Sequence, residues 1–296
     1  MVKKESIPLV PTPVNTAADP FDGGSKALAE IPKGKPLVTY EEADFGAGFE
    51  DFGADDVLVP FIAILQKGSP QVEEDNPKYL KGAKAGMLWN TATLEMFDGK
   101  EKGIRVIPVH RTRNFIEWIP KDEGGGLVKV YDPDAKEVLA VVGKDRQYGK
   151  LKIGDGNDLV ETFSVFALVV KPDGDFDRVI ISFASSQIGV YKRWMMKAQS
   201  IKINTPDGRK RTPPMFSHLY TLTTSFTQKK ENTWFKYNTD TAEPAQLAPD
   251  SDLYQAARAF RALVTNGKVT ASYEQSGTDD ADGEGGGIGG THDADM

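Results

Sequence analysis

Residues 158–185, DLVETFSVFALVVKPDGDFDRVIISFAS, decide how this chain should fold. Two apolar runs, rich in β-branched and aromatic residues, flank a polar turn at Asp173-Gly174. This composition is typical of β-strands, and an Asp-Gly pair between such runs is typical of a tight turn. The stretch therefore predicts a β-hairpin.

Further strand patterns lie close to this hairpin along the chain. Residues 104–109 and 114–119 predict two strands separated by a basic turn, HRTR, at residues 110–113. Residues 127–143 predict a hairpin turning at Asp132-Pro133-Asp134, and residues 215–238 predict another turning near Glu231-Asn232. Closely spaced strands joined by hairpins indicate an antiparallel barrel or sandwich rather than alternating β-α-β units.

Two helices are predicted among the strands. SSQIGVYKRWMMKAQS, residues 185–200, begins with Ser185 or Ser186 as a cap, and Trp194 lies near the edge of its apolar stripe. That stripe is formed by Ile188, Tyr191, Met195 and Ala198. A flexible basic hairpin at residues 204–214 follows, and a last helix runs from Ser251 to about Thr265, ending at Asn266-Gly267. The expected class is mainly β with a few helices (α+β).

The charge is distributed unevenly along the chain. The formal net charge is −7, but residues 1–56 carry −6, residues 274–296 carry −7, and the rest carries +6. Both ends are acidic and lack hydrophobic periodicity, so disorder is expected over residues 1–56 and over the Gly-rich tail 271–296. A single β-rich domain is expected over residues 57–270.

Several classes of protein are disfavoured by what the sequence lacks. There is no cysteine, which excludes disulfides and thiolate metal ligands and fits a reducing cytoplasm. No phosphate-binding loop, dinucleotide fingerprint or nucleophile elbow is present, so neither an enzyme nor a cofactor is expected. With three histidines no metal site is expected, and Ala184 stands where a calcium loop after Asp173 would need an acid. No signal peptide or membrane-spanning run is recognised, so a soluble intracellular protein is expected.

Positive charge and aromatic rings are concentrated in residues 186–236. This segment has ten Lys and Arg against two acids, a net charge of +8. Single-stranded nucleic acid presents phosphates, which cations neutralise, and flat bases, on which exposed rings stack without regard to sequence. The alternative is that strand aromatics pack in the core and hairpin lysines only solubilise, and Phe216, Phe226 and Phe235 are expected to pack in this way.

The sequence nevertheless predicts a nucleic-acid site in this segment, and the site also includes the HRTR stretch at residues 110–113. The predicted phosphate contacts are Arg111, Arg113, Lys192, Arg193, Lys197, Lys202, Arg209, Lys210, Arg211, Lys229, Lys230 and Lys236. The predicted stacking rings are Trp118, Trp194, Tyr220 and Trp234.

Four stretches resemble a family of tailed-bacteriophage early proteins. They are VPFIAILQKGSP (59–70), IRVIPVHRTRNFIEWIPKDEGGG (104–126), SFASSQIGVYKRWMMKAQS (182–200) and RTPPMFSHLYTLTTSFTQKKENTWFKYN (211–238). Some members of that family look like single-stranded DNA-binding replication or recombination proteins, which implies an OB-type barrel and phage origin. The acidic tail also resembles that of such proteins, although it ends in DADM and not in an apolar tip.

Together, these features predict a sequence-independent single-stranded DNA-binding protein of a bacteriophage, acting in the cytoplasm of the infected host. It would protect exposed strands in replication or recombination, and its acidic tail would regulate binding or recruit phage replication or recombination proteins. An annealing recombination protein, a phage structural or host-interaction protein, and a nuclease remain alternatives. Oligomeric state and the preference for DNA or RNA stay open.

Overall fold

The computed structural model describes residues 41, 47–48, 59–143 and 151–273. The predicted disorder of the two acidic ends lies almost entirely outside these residues. The described chain is mainly β with three α-helices. None of these helices combines the length and the apolar composition that a membrane span requires.

Thirteen strands follow one another along the described chain. They are β1 (Phe61–Ile64), β2 (Leu88–Asn90), β3 (Met96–Phe97), β4 (Ile104–Trp118), β5 (Leu127–Tyr131), β6 (Leu151–Ile153), β7 (Asn157–Val170), β8 (Phe176–Ala184), β9 (Ile203–Asn204), β10 (Lys210–Arg211), β11 (His218–Lys229), β12 (Asn232–Asn238) and β13 (Ala245–Gln246). The helices are α1 (Lys136–Val142), α2 (Ile188–Ser200) and α3 (Asp252–Thr265).

Eleven of these strands form one curled sheet, and β9 and β10 form a separate hairpin. The main order is β12-β11-β4-β7-β8-β1-β2-β3. In addition, β5 pairs with β4, β6 pairs with β7, and β13 pairs with β11. The pair β1–β8 is parallel, with Phe61 opposite Ile180. The sheet is therefore mixed, whereas a purely antiparallel arrangement was predicted. It curls into a half-barrel.

The two strands predicted over residues 104–119 are a single long strand, β4. Its register against β7 shifts between Pro108 and His110, which leaves Val109 as an extra, bulged residue. The predicted basic turn HRTR is therefore wrong, because these residues pair with β7 in mid-strand. Pairing with β7 on both sides of the bulge supplies these backbone groups with partners that a turn there would forfeit.

The second half of the hairpin predicted at residues 127–143 is also corrected. β5 ends at Tyr131, and the chain then forms helix α1 instead of a returning strand. Val138 of this helix is buried beside Phe115 and Leu159, with Val142 packed against the same cluster. These valines lie four residues apart, which is a helical spacing, so tertiary packing outweighs their preference for strands.

Other predicted elements are confirmed. The hairpin β7–β8 turns at Asp173-Gly174, where Gly174 has φ +93° and Lys171 N–H donates to Asp175 O at 2.8 Å. The hairpin β11–β12 and helix α3 also form as expected, and Ser251 caps α3 by accepting from Tyr254 N. Helix α2 forms too, but a 3-10 turn precedes it, and neither Ser185 nor Ser186 caps it.

The sheet buries a hydrophobic core on each side, as the alternation along β7 shows. One set of alternate residues belongs to the first core, which we call the concave-side core, and the other set belongs to the second, the convex-side core. The first set is Phe163, Val165, Ala167 and Val169, and the second is Phe166, Leu168 and Val170. Phe235 of β12 and Leu88 of β2, from opposite parts of the sheet order, share the first core, as the inside of a curled sheet requires.

Each core is completed by one helix. Val190, Tyr191 and Trp194 of α2 enter the concave-side core, and Ala257 and Phe260 of α3 enter the convex-side core. Beyond α3 the chain is still ordered, because Tyr273 is 4% exposed and bonds Ser164 Oγ at 2.9 Å. The convex-side core therefore includes a residue that lies after α3 and beyond residue 270.

The two rims of the half-barrel approach each other at Gln66. Its Nε2 donates to Phe235 O at 2.9 Å, and its Oε1 accepts from Phe235 N at 2.8 Å, so one side chain stands in for a missing strand pairing. Gly86 permits the close approach, since its φ is +92° and a Cβ there would lie 2.7 Å from the Phe235 ring. Tyr237 adds a buried bond from its hydroxyl to Ile62 O at 2.6 Å.

Replacing Gln66 with Ala is expected to destabilise the fold by about 1–3 kcal/mol, because it leaves backbone groups of Phe235 unpaired at a half-buried position. Urea unfolding would measure the change. Gln199→Ala, at an exposed position of α2, is the control and is expected to change stability by less than about 0.5 kcal/mol. Equal stabilities of the two variants would show that the rims do not depend on this bridge.

A buried carboxylate holds the outer end of β4 to its neighbours. Glu117 is 6% exposed and accepts hydrogen bonds from Tyr131 Oη and Asn157 Nδ2, both at 2.7 Å. The hydrogen bond to Glu117, followed by burial and the charge of the same carboxylate, raises the pKa of Tyr131 to about 12. Ionised Tyr131 is therefore disfavoured in the folded state.

This raised pKa predicts a loss of stability at alkaline pH. An unfolded tyrosine titrates near pH 10, so between about pH 10 and 12 the unfolded chain has lost a proton that folded Tyr131 retains, and stability falls as pH rises. Tyr131→Phe should be less stable at neutral pH, because Glu117 loses a donor. It should also show a shallower decline from pH 10 to 12 in urea unfolding. Parallel curves for the two proteins would contradict this assignment.

Candidate nucleic-acid interface

Helix α2 is amphipathic, and its aromatic side is sealed inside the half-barrel. Trp194 is 0% exposed, and its ring centroid lies 5.9 Å from that of Phe183 and 5.7 Å from that of Tyr220. Tyr191 stacks on Phe163 at 4.4 Å. Because Val190 and Trp194 are four residues apart, they share one helical face, and this face is the centre of the buried side.

Three of the four rings predicted to stack on bases are buried. Trp194, Tyr220 and Trp118 are 0%, 3% and 7% exposed, so the expectation that they line a surface is wrong. Trp194 and Tyr220 fill the concave-side core, whose interior needs large side chains, and Trp118 packs in the convex-side core. Burial raises the pKa of Tyr220 to about 12.

The opposite face of α2 carries the predicted cations into solvent. Lys192 and Arg193 are exposed, and Met196 between the basic positions is 70% exposed. Lys197 is half-buried, and its Nζ lies 3.3 Å from Glu243 Oε1, a carboxylate that is itself almost fully exposed. The helix thus separates its rings from its charges.

The hairpin β9–β10 follows α2 directly and adds four cations. Lys202, Arg209, Lys210 and Arg211 are all exposed. Asp207 organises the turn: it accepts from the Thr205 hydroxyl and lies 2.9 Å from Arg211 Nη2. The Thr205 bond, then the Arg209 N–H and the Arg211 guanidinium, lower the pKa of Asp207, which therefore stays ionised.

We call the seven cations of α2 and this hairpin the cationic surface: Lys192, Arg193, Lys197, Lys202, Arg209, Lys210 and Arg211. Residues 192–211 hold these seven cations and one acid, Asp207, a net charge of 7 − 1 = +6. The segment is anchored by the buried face of α2 at one end and by β11 at the other. Six of these seven cations are exposed and Lys197 is half-buried, and their role in binding stays a prediction.

The two arginines predicted on β4 differ in what they can do. Arg111 is exposed, and its Nη1 lies 3.3 Å from Tyr191 Oη, which links it to α2. Arg113 is tied to Glu161, with Nη2 2.6 Å from Oε1, and its guanidinium lies 5.8 Å from the Phe163 ring centroid. An arginine already neutralised in this way is a poor phosphate ligand, so Arg113 serves the fold.

The remaining predicted residues lie on the β11–β12 hairpin, apart from the cationic surface. Lys229 and Lys230 are exposed at its tip. Asn232, at this tip, lies five residues before Tyr237, which corresponds to about 17 Å along the strand. The Tyr237 N–H donates to Gln187, at the start of α2. Trp234 and Lys236 alternate with buried Phe235 and so face the convex side, where both are half-buried.

One ring that the sequence predicted to pack in the core is exposed. Phe216 and Phe235 are buried as predicted, but Phe226 is 52% exposed. It packs edge-on against Phe235 at 5.5 Å, and Lys67 Nζ lies 5.7 Å from its ring centroid. The sequence signal that could have identified this exposed ring is its position three residues before the lysine pair at the hairpin tip. The sheet extends past its core there.

The burial of Trp194 has a direct test. Trp194→Ala should destabilise the protein by about 3–5 kcal/mol, because it opens a large cavity beneath α2. Met196→Ala, two residues away on the exposed face, should change stability by less than about 0.5 kcal/mol. Urea unfolding of the two variants measures both values, and a loss below about 1 kcal/mol for Trp194→Ala would contradict the buried placement.

The chain matches a known protein family over most of its length. Residues 27–270 match the family described as Pam3 phage gp34-like protein. The matched range spans every helix of the described chain and all thirteen strands. No curated protein and no solved structure matches the chain.

Proposed function

This chain belongs to the Pam3 phage gp34-like protein family, and we propose that it binds single-stranded DNA without sequence preference in phage replication or recombination. The observation that carries the proposal is the cationic surface, with a net charge of +6 over residues 192–211. Three of its seven cations stand on a helix whose other face is fixed in the core, and the other four lie on the hairpin that follows this helix.

Phosphate contact is the main source of affinity in this proposal. Lysine and arginine that neutralise phosphates release condensed counterions, which gives binding that weakens steeply with salt. Lys192, Arg193, Lys202 and Lys210 suit this role best, since none of them has a carboxylate partner within the described residues, whereas Lys197, Arg209 and Arg211 do. Such contacts read the backbone and not the bases, so no sequence preference is expected.

Base stacking is assigned to Phe226, not to the buried tryptophans. This ring is 52% exposed and is flanked by Lys67, with Lys100 Nζ 4.9 Å from the neighbouring Phe235 ring centroid. A ring beside ammonium groups can stack on a base while the lysines approach its phosphates, at about 1–3 kcal/mol per stacked base. The acidic tail, residues 274–296, is proposed to recruit phage replication or recombination proteins.

The proposal predicts a charge-specific effect on DNA affinity. The double variant Lys192→Ala/Arg193→Ala should bind labelled oligo-dT more weakly. The slope of log K against log salt should lose about 1.4 in magnitude, roughly 0.7 for each lost contact with a single strand. Fluorescence anisotropy over a salt series measures both quantities. Lys78→Ala/Lys81→Ala removes two exposed lysines outside the cationic surface and is the matched control.

Three outcomes would overturn the proposal. They are no binding of oligo-dT at low salt, the same salt slope for the two double variants, and equal affinity for duplex and single strands. A further variant, Phe226→Ala, tests the stacking assignment separately. It should weaken binding while leaving the salt slope unchanged, because it removes no charge.

A further inference from the structure

A pocket opens on the sheet where β4 and β11 part. The two strands pair from Ile104 to Val106, and the last pair is Val106 with Tyr220. Beyond it β4 bulges at Val109, while the chain before β11 turns through a short 3-10 helix, Met215–Ser217. The split between them holds a pocket of about 650 Å³, and Arg261 of α3 borders it.

The titratable side chains that line this pocket are basic, and none is acidic. Arg111, Arg261 and His110 line it, and no carboxylate does. Within the described residues neither arginine forms an ion pair, in contrast to Arg113 two positions along β4. Burial, then the charges of Arg261 and Arg111, lower the pKa of His110, so the imidazole is neutral at physiological pH and the positive charge of the pocket comes from the two arginines, of which Arg111 also has its Nη1 3.3 Å from Tyr191 Oη.

The rest of the pocket is apolar. Phe216 is 8% exposed and is held by the Tyr254 ring at 5.1 Å, so its position is fixed. Met215 and Val109 line the pocket beside it. A volume of this size suits a small organic ligand, and an apolar wall beside paired guanidiniums suits one that has both a flat ring and an anionic group.

We propose that this pocket binds a nucleoside monophosphate, with the phosphate between Arg111 and Arg261 and the base against the apolar wall that includes Phe216. Guanidinium groups bind phosphate oxygens through paired, charge-assisted hydrogen bonds, which makes arginine well suited to this role. A free mononucleotide and the phosphorylated end of a DNA strand present the same chemistry. The site shares no residue with the cationic surface, although Arg111 contacts Tyr191 of α2.

Titration of the full-length protein with dTMP tests the proposal. Calorimetry measures affinity, and the His110 ring signals in NMR spectra report occupancy of the pocket. His218, a buried histidine that does not line the pocket, is the internal reference. We expect dTMP to shift His110 and not His218, and to bind at least about tenfold more tightly than thymidine, which lacks the phosphate.

A pair of variants on one helix gives the decisive comparison. Arg261→Ala should weaken dTMP binding by at least about tenfold, the equivalent of one charge-assisted contact. Arg258→Ala removes the same charge from an exposed position one turn earlier that does not line the pocket, and should change affinity by less than about twofold. Absence of dTMP binding, or equal affinities of these two variants, would overturn the proposal.

A further experiment distinguishes a free mononucleotide from the phosphorylated end of a DNA strand. 5′-Phosphorylated and unphosphorylated oligo-dT are compared in the wild type, in Arg261→Ala and in Lys192→Ala/Arg193→Ala. A preference for the phosphorylated strand that Arg261→Ala abolishes and the double variant retains identifies a strand end as the ligand. Binding of dTMP without that preference identifies a free mononucleotide. Failure of oligo-dT binding alone would contradict the proposed function and leave the pocket assignment standing.

Discussion

The packing of one face of α2 into the concave side of the curled sheet is the constraint on which the rest of the structure depends. Val190, Tyr191 and Trp194 supply large side chains to a core that strands from both parts of the sheet order also line. A half-barrel leaves an interior that its own side chains do not fill, and the helix fills it. Because the helix is fixed in rotation by these contacts, Lys192 and Arg193 can only face solvent. Separation of rings and charges is therefore a consequence of core packing.

The same sheet carries different groups on its two sides. On the concave side, the Gln66 bridge draws the rims together, and Tyr237 bonds both the backbone of β1 and Gln187 ahead of α2. On the convex side, α3 covers the second core, and the bulge at Val109 turns His110 towards Arg261. A bulge commonly re-aims a side chain, and here it contributes to the only pocket that we assign in the described part of the chain. The proposed DNA-binding and nucleotide-binding sites are thus products of two different features of one sheet.

Much of this architecture could be predicted from the sequence, and the failures have physical causes. The alternation and turn chemistry around Asp173-Gly174 were sufficient for β7 and β8, and Ser251 and Gly267 were sufficient to bound α3. Local composition could not distinguish a turn at HRTR from a bulged strand, because the pairing with β7 that decides it is remote in sequence. The prediction of which rings are exposed failed for a similar reason. Periodicity divides a helix or strand into two faces, but only the tertiary structure determines which face is covered, so Trp194 was wrongly predicted to be exposed and Phe226 was wrongly predicted to be buried.

The central claim is that the outward face of α2 and the hairpin after it form one phosphate-binding surface. Chemical labelling of lysines, read by mass spectrometry with and without oligo-dT, tests it most directly. Protection is expected at Lys192, Lys202 and Lys210, which are exposed in the free protein, while Lys78 and Lys268 should label equally in both states. Protection spread evenly over all five lysines, or absent from the first three, would contradict the claim.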